Sequence, residues 1–124
     1  MTDQIFAYAY AGLATLPVAM QLALAAGAPL GRYTVGGRFP GRLPPAWRAL
    51  ALVQAALLAA MALTVLDRAG LLGLGLPGWA VWPVLALTLL TTLANLVTPS
   101  RPERLLWGPV TVAMSLCLIG LIAL

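Results

Sequence analysis

This chain has no histidine, no lysine and one cysteine, and its only acidic side chains are Asp3, Asp67 and Glu103. Each scarcity removes a class of function. Without histidine, and with a lone thiol, the imidazole and thiolate sets that hold zinc cannot be assembled. Cys117 has no partner for an internal disulfide. Ser100 and Ser115 have no histidine or lysine to serve as a general base. No Gly-Lys-Ser/Thr stands behind a glycine-rich turn, so a nucleotide-phosphate loop is missing. No catalytic residue and no cofactor is therefore expected.

Charge is the other scarcity. Only 8% of the 124 residues are charged and 62% are hydrophobic, whereas a soluble domain carries about 25% charged residues to cover itself. The apolar residues fall in runs near the ~20 residues that a helix needs to span ~30 Å of hydrocarbon. The net charge of +4 comes from arginine alone. These arginines stand at the ends of apolar runs, where anionic head groups lie. Membrane lipids, not nucleic acid, are the expected partners.

Four spans are predicted, at 5–28, 47–66, 79–97 and 105–124, in one membrane domain over 1–124. The fold class is all-α: a four-transmembrane-helix bundle with antiparallel neighbours. The first run resembles a signal peptide at Ala25–Ala28, but Asp3 stands where positive charge is needed and the run is too long, so it is read as a span. Pro44 and Pro45 suit the first turn of the second. Ser100 and Glu103 have the spacing of a capping box at the start of the fourth, the serine accepting from the amide of Glu103 and the glutamate reaching back to the amide of Ser100. Trp47, Trp79, Trp82 and Trp107 lie at span ends, with Tyr8 and Tyr10 near the start of the first, as in an interfacial aromatic belt.

The loop after the first span, with the start of the second, carries Arg32, Arg38, Arg42 and Arg48. The loop before the fourth carries Arg101 and Arg104, and the middle loop only Arg68. The positive-inside rule puts both arginine-rich loops in the cytoplasm and both termini outside. Arginine without lysine, with abundant Ala, Leu, Gly and Pro, points to a bacterial plasma membrane.

Two groups of residues could carry function. Arg32, Arg38, Arg42 and Arg48 sit in a glycine-rich loop whose Gly36-Gly37 suits a turn needing positive φ. Arginine and backbone amides could meet a phosphate or lipid head group there, although arginines that set topology need no ligand. The second group is a polar layer, roughly 10 Å inside the cytoplasmic boundary at 1.5 Å per residue: Gln21, Gln54, Thr91, Thr92 and Thr111. Gln21 and Gln54 could bond to each other as interhelical glue, or the layer could be a neutral substrate site. Pro17 should kink the first span and free the carbonyl of Leu13. Ala51, Ala55 and Ala59 form a small-residue strip.

Gly27-Ala28-Pro29-Leu30-Gly31, Gly36-Gly37, Leu43-Pro44 and Arg48, with Pro99–Arg104 and Trp107-Gly108-Pro109, resemble a set of small bacterial four-span integral membrane proteins. The resemblance covers most of the chain and implies architecture and membrane location, with no activity. The first-span glutamate of small multidrug transporters and the phenylalanine-rich motif of four-span fluoride channels are both missing. The leading expectation is a non-enzymatic accessory or structural subunit, with a protein partner or as a homo-oligomer. The alternative is an oligomeric small-solute transporter or channel using the Gln/Thr layer. A third is a lipid-handling enzyme using the arginine loop.

The orientation predicts a labelling pattern. An impermeant maleimide added outside should modify Thr2→Cys and a cysteine placed at the C-terminus, but not Arg38→Cys. The reverse pattern would overturn the topology.

Overall fold

The computed structural model describes residues 2–123. The chain is all-helical over them, with four helices long and apolar enough to cross a membrane: α1 (Thr2–Ala25), α2 (Pro45–Arg68), α3 (Val81–Val97, preceded by a 3-10 turn at Gly78–Ala80) and α4 (Arg101–Ala123). This is a multi-pass membrane architecture. The helix limits differ from the predicted spans for local reasons. α1 stops at Ala25, not Ala28, because Gly27 takes a φ of 97° and the amides of Gly27 and Ala28 turn back onto the carbonyls of Leu24 and Ala23, a glycine-terminated end. α4 starts at Arg101, not Leu105, because Ser100 caps it (below). The predicted end at Leu124 lies outside the described residues.

Each helix presents a buried stripe at helical spacing. On α1 the stripe is Ala7, Tyr10, Ala14 and Leu24; on α3 it is Val81, Val84, Thr88 and Thr92. On α2, Ala51 and Ala55 of the small strip are buried, while Ala59 is exposed. α1 packs on α2 and α4, and α4 packs on α3, but α2 and α3 make little contact. In lipid such packing rests on close van der Waals fit and interhelical hydrogen bonds, because the solvent is as apolar as the side chains.

One core fills the end of the bundle nearest the 69–80 loop, where Tyr10, Met61, Val65, Val81, Val84 and Leu118 meet. A smaller cluster of Leu24, Leu43 and Ala51 holds the other end of α1 against α2. Asp67 ties down the 69–80 loop by accepting the amides of Leu74 at 2.6 Å and Leu76 at 3.1 Å. The belt reading holds for some aromatics and not for others. Tyr8, Trp79 and Trp82 are exposed, but Tyr10 is fully buried with its hydroxyl 2.8 Å from Thr88 Oγ1, and Trp107 is buried too. Both point inward because their helical position lies on the packed stripe, whatever their distance from a span end.

The loop after α1 is folded tightly. Gly31 donates to the carbonyl of Gly41 at 2.9 Å, and a Cβ on Gly31 would fall onto the Phe39 carbonyl and within 2.6 Å of Gly41 O. Gly31→Ala should therefore lower the melting temperature of the purified protein by several degrees, the effect of about 1–3 kcal/mol of overpacking. Gly12→Ala, on exposed α1 surface where a Cβ meets nothing within 4 Å, should leave it unchanged or raise it by up to about 1 kcal/mol. Equal effects of the two substitutions would contradict this account of the loop.

A polar cavity as the candidate functional site

The poor contact between α2 and α3 leaves a cavity of about 560 Å³ among the four helices. Its back wall is a stripe on α4: Glu103, Trp107, Thr111 and Met114, all buried. Pro17 and Gln21 of α1 and Gln54, Leu58 and Met61 of α2 continue the wall, and Thr88 of α3 lies opposite. The rim residues Leu57, Leu87, Thr91, Ala94 and Val97 are exposed. They belong to the spanning parts of α2 and α3, so the cavity opens sideways, toward hydrocarbon. Tyr33–Gly36 and Thr98-Pro99 close one end, and the core around Tyr10 and Val65 closes the other.

Gln21 and Gln54 both line this cavity. Helical spacing puts them there: Gln21 continues the stripe of Ala14 and Leu24, and Gln54 that of Ala51 and Met61. Leu24 and Ala51 share one cluster, and one turn further into each helix lie the two glutamines. The expected amide exchange between them is not formed. Neither side chain has a hydrogen-bond partner among the described residues, although no side-chain polar atom sealed from the surface lacks one. Both side chains border the open cavity left by the sparse contact between α2 and α3.

The threonines divide. Thr91 sits on the exposed rim. Thr92 is buried between α3 and α4, with its Oγ1 2.8 Å from Thr88 O, 3.0 Å from Thr111 O and 2.7 Å from Ser115 Oγ. A hydroxyl has one proton, so Thr92 gives it to a carbonyl and accepts from Ser115. Thr111 donates to Trp107 O at 2.7 Å and accepts from Asn95 Nδ2 at 3.5 Å. Thr92, Ser115 and Asn95 thus hold α3 to α4, and Thr111 alone of these hydroxyls also faces the cavity. Pro17 lines the cavity, while α1 runs through it without interruption.

Only half of the predicted capping box forms. Ser100 Oγ accepts the amide of Glu103 at 3.3 Å and donates to the carbonyl of Arg32 at 2.6 Å. The amide of Ser100 is taken by Thr98 Oγ1 at 3.3 Å, so Glu103 does not reach back. Its Oε2 instead accepts the amide of Gly36 at 3.3 Å. Two bonds therefore dock the loop after α1 onto the start of α4. The docked segment has positive φ at Val35, Gly36 and Gly37 (51°, 63° and 76°). For Gly36 and Gly37 this is easy; for a β-branched valine it is strained, at a cost on the order of 1–3 kcal/mol.

The four arginines do not converge on an anion. Arg48 Nε donates to the terminal carbonyl of α1, Ala25 O, at 3.1 Å. Arg42 lies over Gly27, where a Cβ would meet its guanidinium at 2.7 Å. Arg32 stacks on Tyr33 at 5.0 Å and Arg38 on Phe39 at 5.2 Å. Each uses its guanidinium locally, so the loop gathers no shared pocket of positive charge among the described residues.

Comparison with protein-family models, with curated proteins and with solved structures yields no match. Glu103 is the site residue that sequence reasoning placed only as a cap. The Glu103-Trp107-Thr111 spacing, one helical turn at each step, was the available signal that all three share a face.

An unpartnered amide beside hydrocarbon destabilises the protein that carries it. Gln21→Leu and Gln54→Leu should each raise the melting temperature, with a gain on the order of 1 kcal/mol, as when a functional site is replaced by packing. A loss of stability in both variants would show that the amides are bonded.

Proposed function

We propose that this protein is a small-solute carrier that binds its substrate in the cavity between α2 and α3. The observation behind this reading is the pair of glutamines, Gln21 and Gln54, held on inward helix faces with free amides in a space large enough for a small molecule. Polar groups inside a membrane are expensive and mark substrate pathways when they are not used for packing. The threonine cluster between α3 and α4 is used for packing; the glutamines are not. The cavity also has the mixed character of a ligand site, mostly apolar with a few polar groups.

We place the protein in a bacterial plasma membrane, as the composition suggests, with the arginine-rich loops in the cytoplasm. The closed end at Tyr33–Gly36 then faces the cytoplasm. A change in the docking of this loop on Ser100 and Glu103 is the natural way to open that end. The accessory-subunit reading draws on the same flank, since the exposed apolar rim of α2 and α3 could receive a partner's helix. The lipid-handling reading has less behind it, because Arg42 and Arg48 lie against the end of α1 while Arg32 and Arg38 stack on neighbouring aromatics.

Reconstitution into proteoliposomes tests the carrier. A panel of labelled neutral and charged solutes should include at least one that crosses faster than in empty vesicles, and Gln54→Leu should abolish that flux. Absence of protein-dependent flux across the panel, together with stable co-purification of another membrane protein, would replace the carrier with an accessory subunit.

A further inference from the structure

We infer that the cavity takes a cationic amphiphile, with a protonated amine at the Glu103 end and its chain lying toward Met61, Leu87 and Met114. This rests on the carrier reading of the same cavity and specifies its ligand.

The charge argument comes first. Glu103 contributes a carboxylate to the cavity wall and is only 7% exposed. Its hydrogen bond is from the Gly36 amide, at 3.3 Å. No arginine is bonded to it among the described residues: Arg104 Nη1 donates to Thr98 O at 2.9 Å, and Arg32 is stacked on Tyr33. A carboxylate removed from water needs more than one neutral donor to offset its desolvation. The positive end of the α4 dipole supplies part of this, and a bound ammonium would supply the rest. An anionic ligand has nothing to meet, since no arginine lines the cavity among the described residues.

The surroundings of the carboxylate also suit a cation. Trp107 lies one turn along α4 in the same wall and is buried, and Tyr33 lines the same end. Aromatic faces attract ammonium groups, most strongly where water is excluded. Gln21 and Gln54 add amide oxygens that can accept from an N–H.

The cavity then changes character along its length. On α4 the wall runs from Glu103 through Trp107 and Thr111 to Met114, from charged to apolar. Leu58, Met61 and Leu87 line the apolar part. The exposed rim faces the hydrocarbon, so a molecule dissolved in the bilayer by its chain can enter sideways without first crossing to water.

Binding in phosphatidylcholine nanodiscs tests this, with labelled dodecylamine and dodecanol as probes and partition into empty discs subtracted. Glu103→Gln keeps an oxygen that can accept the Gly36 amide and removes the charge, so a purely structural role would survive it. Wild type should bind dodecylamine saturably and about tenfold or more tightly than dodecanol, the advantage of a charge-assisted hydrogen bond. Glu103→Gln should remove the amine's advantage and bring the two probes to similar affinity, and saturable dodecanol binding by the variant shows that it is folded. Equal binding of both probes by wild type, or an amine preference that survives Glu103→Gln, would overturn the cationic ligand and leave the cavity a neutral-solute site. Saturable binding of neither probe, with no solute flux, would overturn the carrier as well.

Discussion

Hydrocarbon offers no hydrogen bonds, and every polar group placed between these helices answers to that constraint. Most answer it inside the protein. Tyr10 bonds to Thr88, Thr92 to Ser115 and to a backbone carbonyl, and Thr111 to Asn95 and the preceding turn. Those bonds fix the register of α4 against α3 and of α1 against α3. The two glutamines do not answer it, and their free amides separate a site from the packing around it.

α4 organises the rest. It packs on both α1 and α3, and its first turn receives the loop after α1 through Ser100 and Glu103. That loop is short of regular structure, so it is held by specific bonds: Gly31 to Gly41, Arg48 to the end of α1, and the two contacts to α4. Positive φ at three consecutive residues lets the backbone amide of Gly36 face the carboxylate. Val35 adopts that conformation against its own preference, which is the kind of local strain that gathers where a segment is held for function.

The same geometry gives the cavity its polarity. Sparse contact between α2 and α3 leaves the cavity along the inner faces of α1 and α4, and α4 carries its carboxylate at the loop end and its methionine at the core end. A ligand reaching this space meets a charged aromatic end and an apolar one in a single continuous wall. The loop end is held by the same Glu103 that lines the cavity, so a ligand bound as proposed would share that side chain with the docked loop.

The sequence by itself determined the four spans, because apolar length against bilayer thickness leaves few alternatives, and it turned Gln21 and Gln54 toward the bundle interior, because an unpaired amide facing hydrocarbon is costly. Ser100 also announced the start of α4 through its capping spacing, although α4 begins four residues earlier than hydropathy suggested and α1, at the same length, lies three residues nearer the N-terminus. What spacing cannot say is how far two helices stand apart. Only the tertiary structure decided that α2 and α3 make little contact, which leaves an open space that both glutamines line, unbonded to each other where pairing was expected. It also decided that Glu103 turns from its own helix end to the amide of Gly36, a group 67 positions away. A carboxylate takes whichever donor the fold brings within reach, and that donor came from a loop whose path no local rule specifies.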